Sequence, residues 1–436
     1  MKLLIFAHTP PPHHGQSYMV QLMLAGFGGD QRKRRRSADS NASATPDAYD
    51  IQCYHVNARL SRKLEDIGDL RIGKFFLLVW YCLQAVWCRF RYGVKNFYYI
   101  PAPGKKSALY RDWLVMFLCR RWFSRVFLHW HAAGLAKWLE LAVQLRTRSV
   151  TYGLMKQVDL SIVLSQYNKA DAEKLYSQNI TVVSNGIPDP CPAFEKDVLR
   201  RRKARFAARK KLLSGQAIAE ADLVGTGGDP QIVRVLYLAH CTREKGVFDT
   251  VNGIVLASQR LAERRFPVTL RLLIAGTFVS ADEKAEFDRL AAHSAAPNLI
   301  EYFGFVSGEQ KSTLLRDADL FCFPTYYENE NQPVNLIEAM AFGLPILTTR
   351  WRSLPEMFPA DYAGLVDVRS PEQIANVLPA LMTGEAGDGF RELFRRDYTL
   401  QRHLSGLAEA FHNAEKSRRA PALAPSSSPA VQSAPG

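Results

Sequence analysis

The feature that most constrains the fold is an alternation of short apolar runs with longer amphipathic stretches, repeated along most of the chain. Such runs predict buried strands joined by helices, which is the pattern of a doubly wound parallel sheet. Six predicted strands lie in the first half, at 3–6, 51–56, 97–100, 126–130, 160–164 and 181–183. Six more lie in the second half, at 233–238, 269–275, 299–303, 320–323, 346–348 and 364–366. The sequence therefore predicts an α/β protein with two Rossmann-like domains.

The break between the two sets of strands defines the predicted domains, and 436 residues are enough for two. We expect an N-terminal Rossmann-like domain at 1–190, a basic linker with a helix at 191–232 and a C-terminal Rossmann-like domain at 233–395. A helix at 396–417 is expected to pack back on the N-terminal domain, and 418–436 is expected to be a disordered tail. Within the first domain, 28–48 is rich in Gly, Arg, Ser and Asn and is predicted to be a flexible basic insertion.

The cysteines and the N-terminus indicate a cytoplasmic protein. Seven cysteines are scattered without a C-x-x-C pair, which fits neither a zinc site nor a disulfide framework. The opening MKLLIFAH reaches His8 too soon for the apolar core of a signal peptide.

The net charge of +14 is concentrated in two segments. Residues 32–36 carry five bases, and 195–211 carry nine bases against two acids. A helix over 195–213 is predicted from apolar residues that recur every seven positions: Leu199, Phe206 and Leu213. Its basic face either binds an anionic membrane at the inner face of the plasma membrane or is a solvated connection. Nucleic-acid binding is not expected, because the aromatic and helix-turn-helix patterns of that class are absent from the sequence.

The longest apolar stretch, 75–88, is shorter than the 18–20 residues, roughly, that a membrane span needs. A buried amphipathic helix is the favoured interpretation, so the aromatic residues of 75–92 are expected in the core. The alternatives are an interfacial membrane helix or a groove for a lipid acceptor, because Arg89 and Arg91 follow Trp80 and Trp87.

The segment YYENENQPVNLIEAMAFGLPIL, at 326–347, predicts the functional site. Glu330 lies in the loop after the strand at 320–323, at the carboxyl edge of the sheet where such proteins bind ligands. Glu338 lies inside the following helix, whose first N–H groups and dipole favour a phosphate. Two carboxylates on either side of a phosphate suit a nucleoside diphosphate sugar.

The spacing E-x7-E-A-M-A-x-G-x-P, from Glu330 to Pro345, resembles the signature of family 4 glycosyltransferases, which have the GT-B fold. Further similar motifs follow in the expected order at 8–20, 128–135, 182–187, 243–246, 272–277, 301–307 and 354–357. The resemblance implies transfer from a nucleotide-sugar donor to a carbohydrate or lipid-linked acceptor. It also implies retention of anomeric configuration, no cofactor and no obligatory metal.

The same resemblance implies roles for individual residues. The catalytic positions would be Glu330 and His131. The donor would be bound by Gly15, Arg243, Lys245, Gly276, Val334, Asn335 and Glu338. The acceptor would be bound by Lys105 and Arg111.

The sequence departs from the family pattern at several places, one of which is His14-Gly15 where the first loop usually has a double glycine. His240 stands where an arginine is usual, and Arg243 is the candidate replacement. Asn331-Gln332-Pro333 replaces Gly-Phe-Gly, and Glu328 is a rival to Glu330. These departures leave a second hypothesis, a non-catalytic GT-B scaffold that binds nucleotide without turnover. A dinucleotide-dependent oxidoreductase is disfavoured because the first loop lacks G-x-G-x-x-G.

Overall fold

The computed structural model describes residues 1–11, 15–34, 48–60, 72–292, 298–387 and 389–417. The first domain contains a six-stranded parallel sheet in the order β2-β1-β3-β4-β5-β6. Its strands are β1 Lys2–Phe6, β2 Gln52–Val56, β3 Asn96–Tyr99, β4 Arg125–Trp130, β5 Leu160–Val163 and β6 Ile180–Val182. All six were predicted from the apolar runs.

The second domain contains another six-stranded parallel sheet, in the order β12-β11-β10-β7-β8-β9. Its strands are β7 Ile232–Leu238, β8 Thr269–Ala275, β9 Ile300–Gly304, β10 Leu320–Phe323, β11 Ile346–Thr349 and β12 Leu365–Val366. The strand order reverses between β7 and β10, which is where open α/β sheets bind ligands. The prediction of two Rossmann-like domains is confirmed.

Helices surround both sheets. Those of the first domain are α1 Gly15–Gly26, α2 Gln31–Arg34, α3 Ile72–Tyr92, α4 Lys106–Cys119, α5 Leu135–Leu141, α6 Leu145–Met155 and α7 Lys169–Lys174. The remainder are α8 Arg200–Leu213, α9 Glu220–Leu223, α10 Val247–Glu263, α11 Ala281–Ala292, α12 Gly308–Asp317, α13 Val334–Ala341, α14 Pro371–Leu381, α15 Phe390–Asp397 and α16 Leu400–Lys416. Helix α2 occupies the start of the predicted flexible insertion. The rest of that insertion up to 47, and the tail 418–436, lie outside the described residues.

The last helix, α16, returns to the first domain. Leu404, Leu407 and Phe411 are buried in the same cluster as core residues of β1, β3 and β4. The Phe411 ring stacks on Phe127 with 5.5 Å between centroids, and a Cβ on Gly26 would lie 2.3 Å from the side chain of Leu404. The end of the chain therefore ties the two domains together.

The prediction of a free basic face on 195–213 is wrong for three arginines of α8. Arg202, Arg205 and Arg209 are buried. Arg205 and Arg209 donate to the two carboxylate oxygens of Asp319, at 2.7 and 3.1 Å, while Arg202 donates to backbone carbonyls at the C-terminal ends of α12 and α13. Burial alone would raise the pKa of Asp319, but the charges of Arg209 and Arg205 hold it below its usual value. These arginines fasten the linker to the second domain.

The prediction that the aromatic residues of 75–92 belong to the core is wrong as well. Helix α3 buries a narrow face with Leu78, Cys82, Ala85 and Cys88, and most of its large aromatic side chains are exposed. In the part of the chain that the structure describes, no helix has both the length and the apolar character required to cross a lipid bilayer.

Candidate active site

The loop between β10 and α13 places the predicted site at the carboxyl edge of the second sheet. The backbone N–H of Glu330 closes a turn by donating to the Tyr327 carbonyl at 3.0 Å. Helix α13 begins at Val334 after an extended Pro333, so its first N–H groups point toward the interdomain cleft. At its other end Gly343 adopts a φ of +58°, the left-handed conformation that glycine supplies at helix C-termini.

Glu330 and Lys245 form an ion pair at this edge. Lys245 Nζ lies 2.7 Å from Glu330 Oε2, which also accepts from Thr325 Oγ1 at 2.9 Å. Gly246 lets the Lys245 turn approach so closely, because a Cβ at its φ of +81° would lie 2.3 Å from a backbone oxygen of the β10 loop. Glu330 is buried whereas Glu328 is exposed, so the structure favours Glu330 over its rival.

Glu338 forms a second ion pair, with Lys311 of α12. Lys311 Nζ lies 2.6 Å from Glu338 Oε1, and the carboxylate is buried. Tyr18 of α1 lies close enough to respond to both charges. Burial first, and then the negative charge of Glu338, raise the pKa of Tyr18, while Lys311 opposes the rise. Tyr18 of the first domain thus lies near the second ion pair.

The N-termini of α1 and α13 meet across the cleft. A Cβ built on Gly15, the first residue of α1, would lie 3.9 Å from Val334 Cγ2. Helix N-termini carry free N–H groups and a partial positive charge, so two of them directed at one space favour an anion. Gly15 and Val334, the first residues of these two helices, are thus neighbours across the cleft, although Gly15 is exposed, and their role in donor binding stays a prediction.

The first domain contributes a stack of histidines at the end of β4. The rings of His131 and His129 lie 4.2 Å apart, and His129 Nδ1 shares a 2.7 Å hydrogen bond with Tyr98 Oη. His403 of α16 lies behind them, 6.2 Å from His129. Burial lowers the pKa of His403 to about 4 and that of His129 well below its usual value. These two rings are neutral at physiological pH.

The segment Asn331-Gln332 joins the two walls of the cleft. Asn331 Nδ2 donates to Asn168 Oδ1 at 2.7 Å and to the Trp130 carbonyl at 3.3 Å. Asn185 Nδ2 donates to the Gln332 carbonyl at 2.9 Å. Because Asn331 follows Glu330 and Trp130 precedes His131, this bond joins the chain segments that carry the two predicted catalytic residues. We call these contacts the Asn331 bridge.

Two other residues that were predicted to bind the donor, Asn335 and Gly276, support the backbone at the edge of the second sheet. Asn335 Nδ2 donates to the Leu238 carbonyl at 2.9 Å, which ties the start of α13 to the end of β7. Gly276 has no room for a side chain, since a Cβ would lie 1.7 Å from the Ala239 oxygen. Both residues hold the edge of the sheet in shape.

Arg243 is not directed at the pair formed by Lys245 and Glu330. Its Nη2 lies 2.5 Å from Glu286 Oε2 on α11, and this hydrogen bond raises the pKa of Arg243. His240 is closer to the site. Burial, and then the charge of Lys245, lower the pKa of His240.

The predicted acceptor residues lie on α4 in the first domain. Lys105 is exposed at the N-cap of α4, whereas Arg111 is paired with the adjacent buried Asp112 at 2.9 Å. Arg111 also acts on His8 at the end of β1. Burial, and then the charge of Arg111, lower the pKa of His8 to about 4. The structure therefore places Arg111 beside His8, while the side chain of Lys105 faces solvent.

Two features of the site could not be predicted from the sequence: the ion-pair partner of Glu338 and the hydrogen-bond partners of Asn331. Lys311 lies on a helix with a surface pattern, and nothing in the sequence pairs it with Glu338. The Asn331 bridge needs partners from another domain. Among the described residues, no group of three or more His, Cys, Asp and Glu side chains is arranged to hold a metal ion.

The sequence similarity to a known protein family lies mainly in the second domain. Residues 229–395, which include the second sheet, match the family described as glycosyl transferases group 1. A putative colanic acid biosynthesis glycosyltransferase, WcaL of Escherichia coli K12, is 26% identical over 41% of this chain and 45% of its own length. An MMP alpha-(1->4)-mannosyltransferase of Mycolicibacterium hassiacum is 32% identical over 25% of each chain. The chain thus spans less than half the length of these curated relatives.

Solved structures resemble the whole chain. Anabaena Alr3699/HepE, in complex with UDP, superposes with a TM-score of 0.58 over 95% of this chain and 100% of its own, at 13% identity. Sucrose-phosphate synthase of Thermosynechococcus elongatus gives 0.61 over 95% and 99%, at 16% identity. At such identities the likeness concerns the fold, and it confirms the GT-B architecture.

Proposed function

We propose that this protein is a glycosyltransferase that moves a sugar from a nucleoside diphosphate sugar to a carbohydrate or lipid-linked acceptor. The observation that carries the proposal is the ion pair between Lys245 and Glu330, which lies in the loop just before α13, whose first residue Val334 contacts Gly15 of the first domain. The family match of the second domain and the UDP complex of HepE support the same conclusion. Relatives named for colanic acid and amylovoran biosynthesis support a role in making a surface polysaccharide or glycolipid.

The donor diphosphate would occupy the space between the two opposed helix N-termini. Lys245 would turn from Glu330 to the diphosphate, where a charge-assisted contact is strongest in a closed cleft. Glu330 would then be able to accept hydrogen bonds from the donor sugar. Glu338, held by Lys311, would accept from the ribose hydroxyls.

The reaction requires a leaving group to be stabilised. The bond between the anomeric carbon and the diphosphate oxygen would break, and negative charge would develop on that oxygen. An acceptor hydroxyl oxygen would form the new bond to the anomeric carbon, and its proton would pass to the released diphosphate. Lys245 and the N–H groups of Val334 and Asn335 would stabilise this charge. Since protein groups supply the positive charge, we propose that transfer needs no bound metal and proceeds in EDTA. The family resemblance supports retention of configuration, which the anomeric coupling constant of the product would report.

The test is donor turnover, as transfer or slow hydrolysis, by the purified protein. Glu330→Gln should lower turnover at least 100-fold, the order seen when a transition-state contact is removed. Glu328→Gln is the matched control, because it changes a nearby exposed carboxylate of the same loop, and it should remain within about twofold. Equal turnover by both variants would refute the assignment. Nucleotide binding without turnover in the wild type would favour a non-catalytic scaffold instead.

A further inference from the structure

We propose that the outer face of α3 docks this protein on the surface of an anionic lipid bilayer. Five large apolar side chains follow one line along this helix at spacings of four and three residues: Phe76, Trp80, Leu83, Trp87 and Phe90. Each is between 53% and 65% exposed. We call this set the apolar stripe. Within the part of the chain that the structure describes, nothing covers this row, and an exposed apolar row of this size is typical of an interaction surface.

Neighbouring elements extend the apolar stripe. The Trp122 ring lies 5.7 Å from Phe90, and Phe117 of the adjacent α4 is 61% exposed. The Arg89 Nε donates to the Trp122 carbonyl at 2.9 Å and so fixes Trp122 beside the helix. The exposed apolar surface of α3 is therefore continuous with Trp122, and the adjacent α4 adds an exposed Phe117.

The charge around this surface favours anionic lipid over protein. Helices α3 and α4 and the turn 120–122 contain seven Lys and Arg residues and a single acid, Asp112, which is buried and paired with Arg111. Arg121 lies 4.9 Å above the Trp122 ring, at the edge of the apolar surface. A second copy of the same face would oppose these bases to each other, whereas anionic headgroups complement them.

The geometry indicates a helix that lies on the bilayer. Helix α3 does not meet the requirements for a membrane span. It is amphipathic, with Trp and Phe side chains between basic residues at its two ends, Lys74 and Arg91. Helices of this composition lie in the interfacial plane, where aromatic rings enter the headgroup region and basic groups contact phosphates. This proposal does not depend on the proposed function.

Co-sedimentation of the full chain with vesicles tests the proposal. We expect binding to vesicles of equal parts phosphatidylcholine and phosphatidylglycerol, weaker binding to phosphatidylcholine alone, and weaker binding at high salt. Replacing Trp80, Leu83 and Trp87 by Gln should lower the partition coefficient at least tenfold. Replacing Arg89, Arg91 and Arg121 by Gln should also lower the partition coefficient, by about fivefold for each arginine that is replaced.

The matched control neutralises three exposed bases of the linker segment: Lys196→Gln, Arg200→Gln and Lys203→Gln. It removes the same charge from another surface, so partition should stay within twofold of wild type. Circular dichroism and nucleotide-induced stabilisation, unchanged in every variant, would show that folding and the cleft are intact. Three results would overturn the proposal: no binding of wild type to anionic vesicles, equal binding by the α3 variants, or a wild-type dimer that the apolar-stripe variant dissociates.

Discussion

The two walls of the interdomain cleft differ in charge. The wall from the second domain holds two lysine–carboxylate pairs, of Lys245 with Glu330 and of Lys311 with Glu338, beside a helix N-terminus. The wall from the first domain holds buried histidines whose pKa values burial lowers, so they are neutral. Charge on the second-domain wall is therefore concentrated where a diphosphate would bind, whereas the histidines buried at the end of β4 in the first domain are neutral.

The largest expected effect comes from removing the charge that the diphosphate would contact. Lys245→Met should lower the affinity for the nucleoside diphosphate at least 100-fold, about 3 kcal/mol. It also leaves the buried Glu330 without its cation, so the free energy of unfolding should fall by about 1–3 kcal/mol. Calorimetry and urea unfolding measure the two effects.

A double variant separates binding from stability. Lys245→Met with Glu330→Gln removes both charges of the pair, so we expect stability close to wild type while nucleotide affinity stays low. An unchanged affinity in Lys245→Met would show that the charged wall does not bind the diphosphate.

The next effect concerns the contact between the walls. Asn331→Ala removes the bonds to Asn168 and to the Trp130 carbonyl and leaves buried polar groups unpaired, so the free energy of unfolding should fall by about 2 kcal/mol. Turnover should fall more than nucleotide affinity, because Glu330 and His131 lose their relative position. Asn329→Ala, in the same loop, is the control. If both variants behave alike, the Asn331 bridge does not align the walls.

The smallest effect at neutral pH concerns the buried histidines of the first domain, whose contribution to stability changes only in acid. Buried His129 and His403 have folded-state pKa values below that of the unfolded chain, so unfolding takes up protons at acid pH. The contribution of His403 is complete above about pH 6.5 and is lost as pH falls toward its folded-state pKa of about 4, at up to about 1.4 kcal/mol per pH unit, and the contribution of His129 is lost in the same direction. Thermal unfolding of His403→Gln should show a shallower slope over this range. An equal slope would mean that His403 is not buried in its neutral form.

The strands and the charged wall were predictable from local sequence. Short apolar runs between helical stretches identify parallel strands, and the spacing from Glu330 to Glu338 places one carboxylate in the β10 loop and one in α13. The partners of these residues were not predictable. Lys311 and Asn168 meet the site only through folding, because they lie on other elements of the chain.

Burial on α3 and α8 also depended on partners that the sequence does not reveal. Helix α8 is strongly basic, yet Arg202, Arg205 and Arg209 are buried because Asp319 and free helix carbonyls lie opposite them. Helix α3 is strongly apolar, yet it packs against its domain along a narrow face only. Composition therefore indicated the wrong environment in both helices.

Thermal unfolding in EDTA with UDP, GDP, dTDP, ADP or NAD tests the central claim most directly. A nucleotide at about 100 times its dissociation constant should stabilise the native protein by about 2.7 kcal/mol, or a few degrees. The account predicts that one nucleoside diphosphate raises the midpoint for the wild type and not for Lys245→Met. Stabilisation by NAD alone, or the same shift in both proteins, would contradict it.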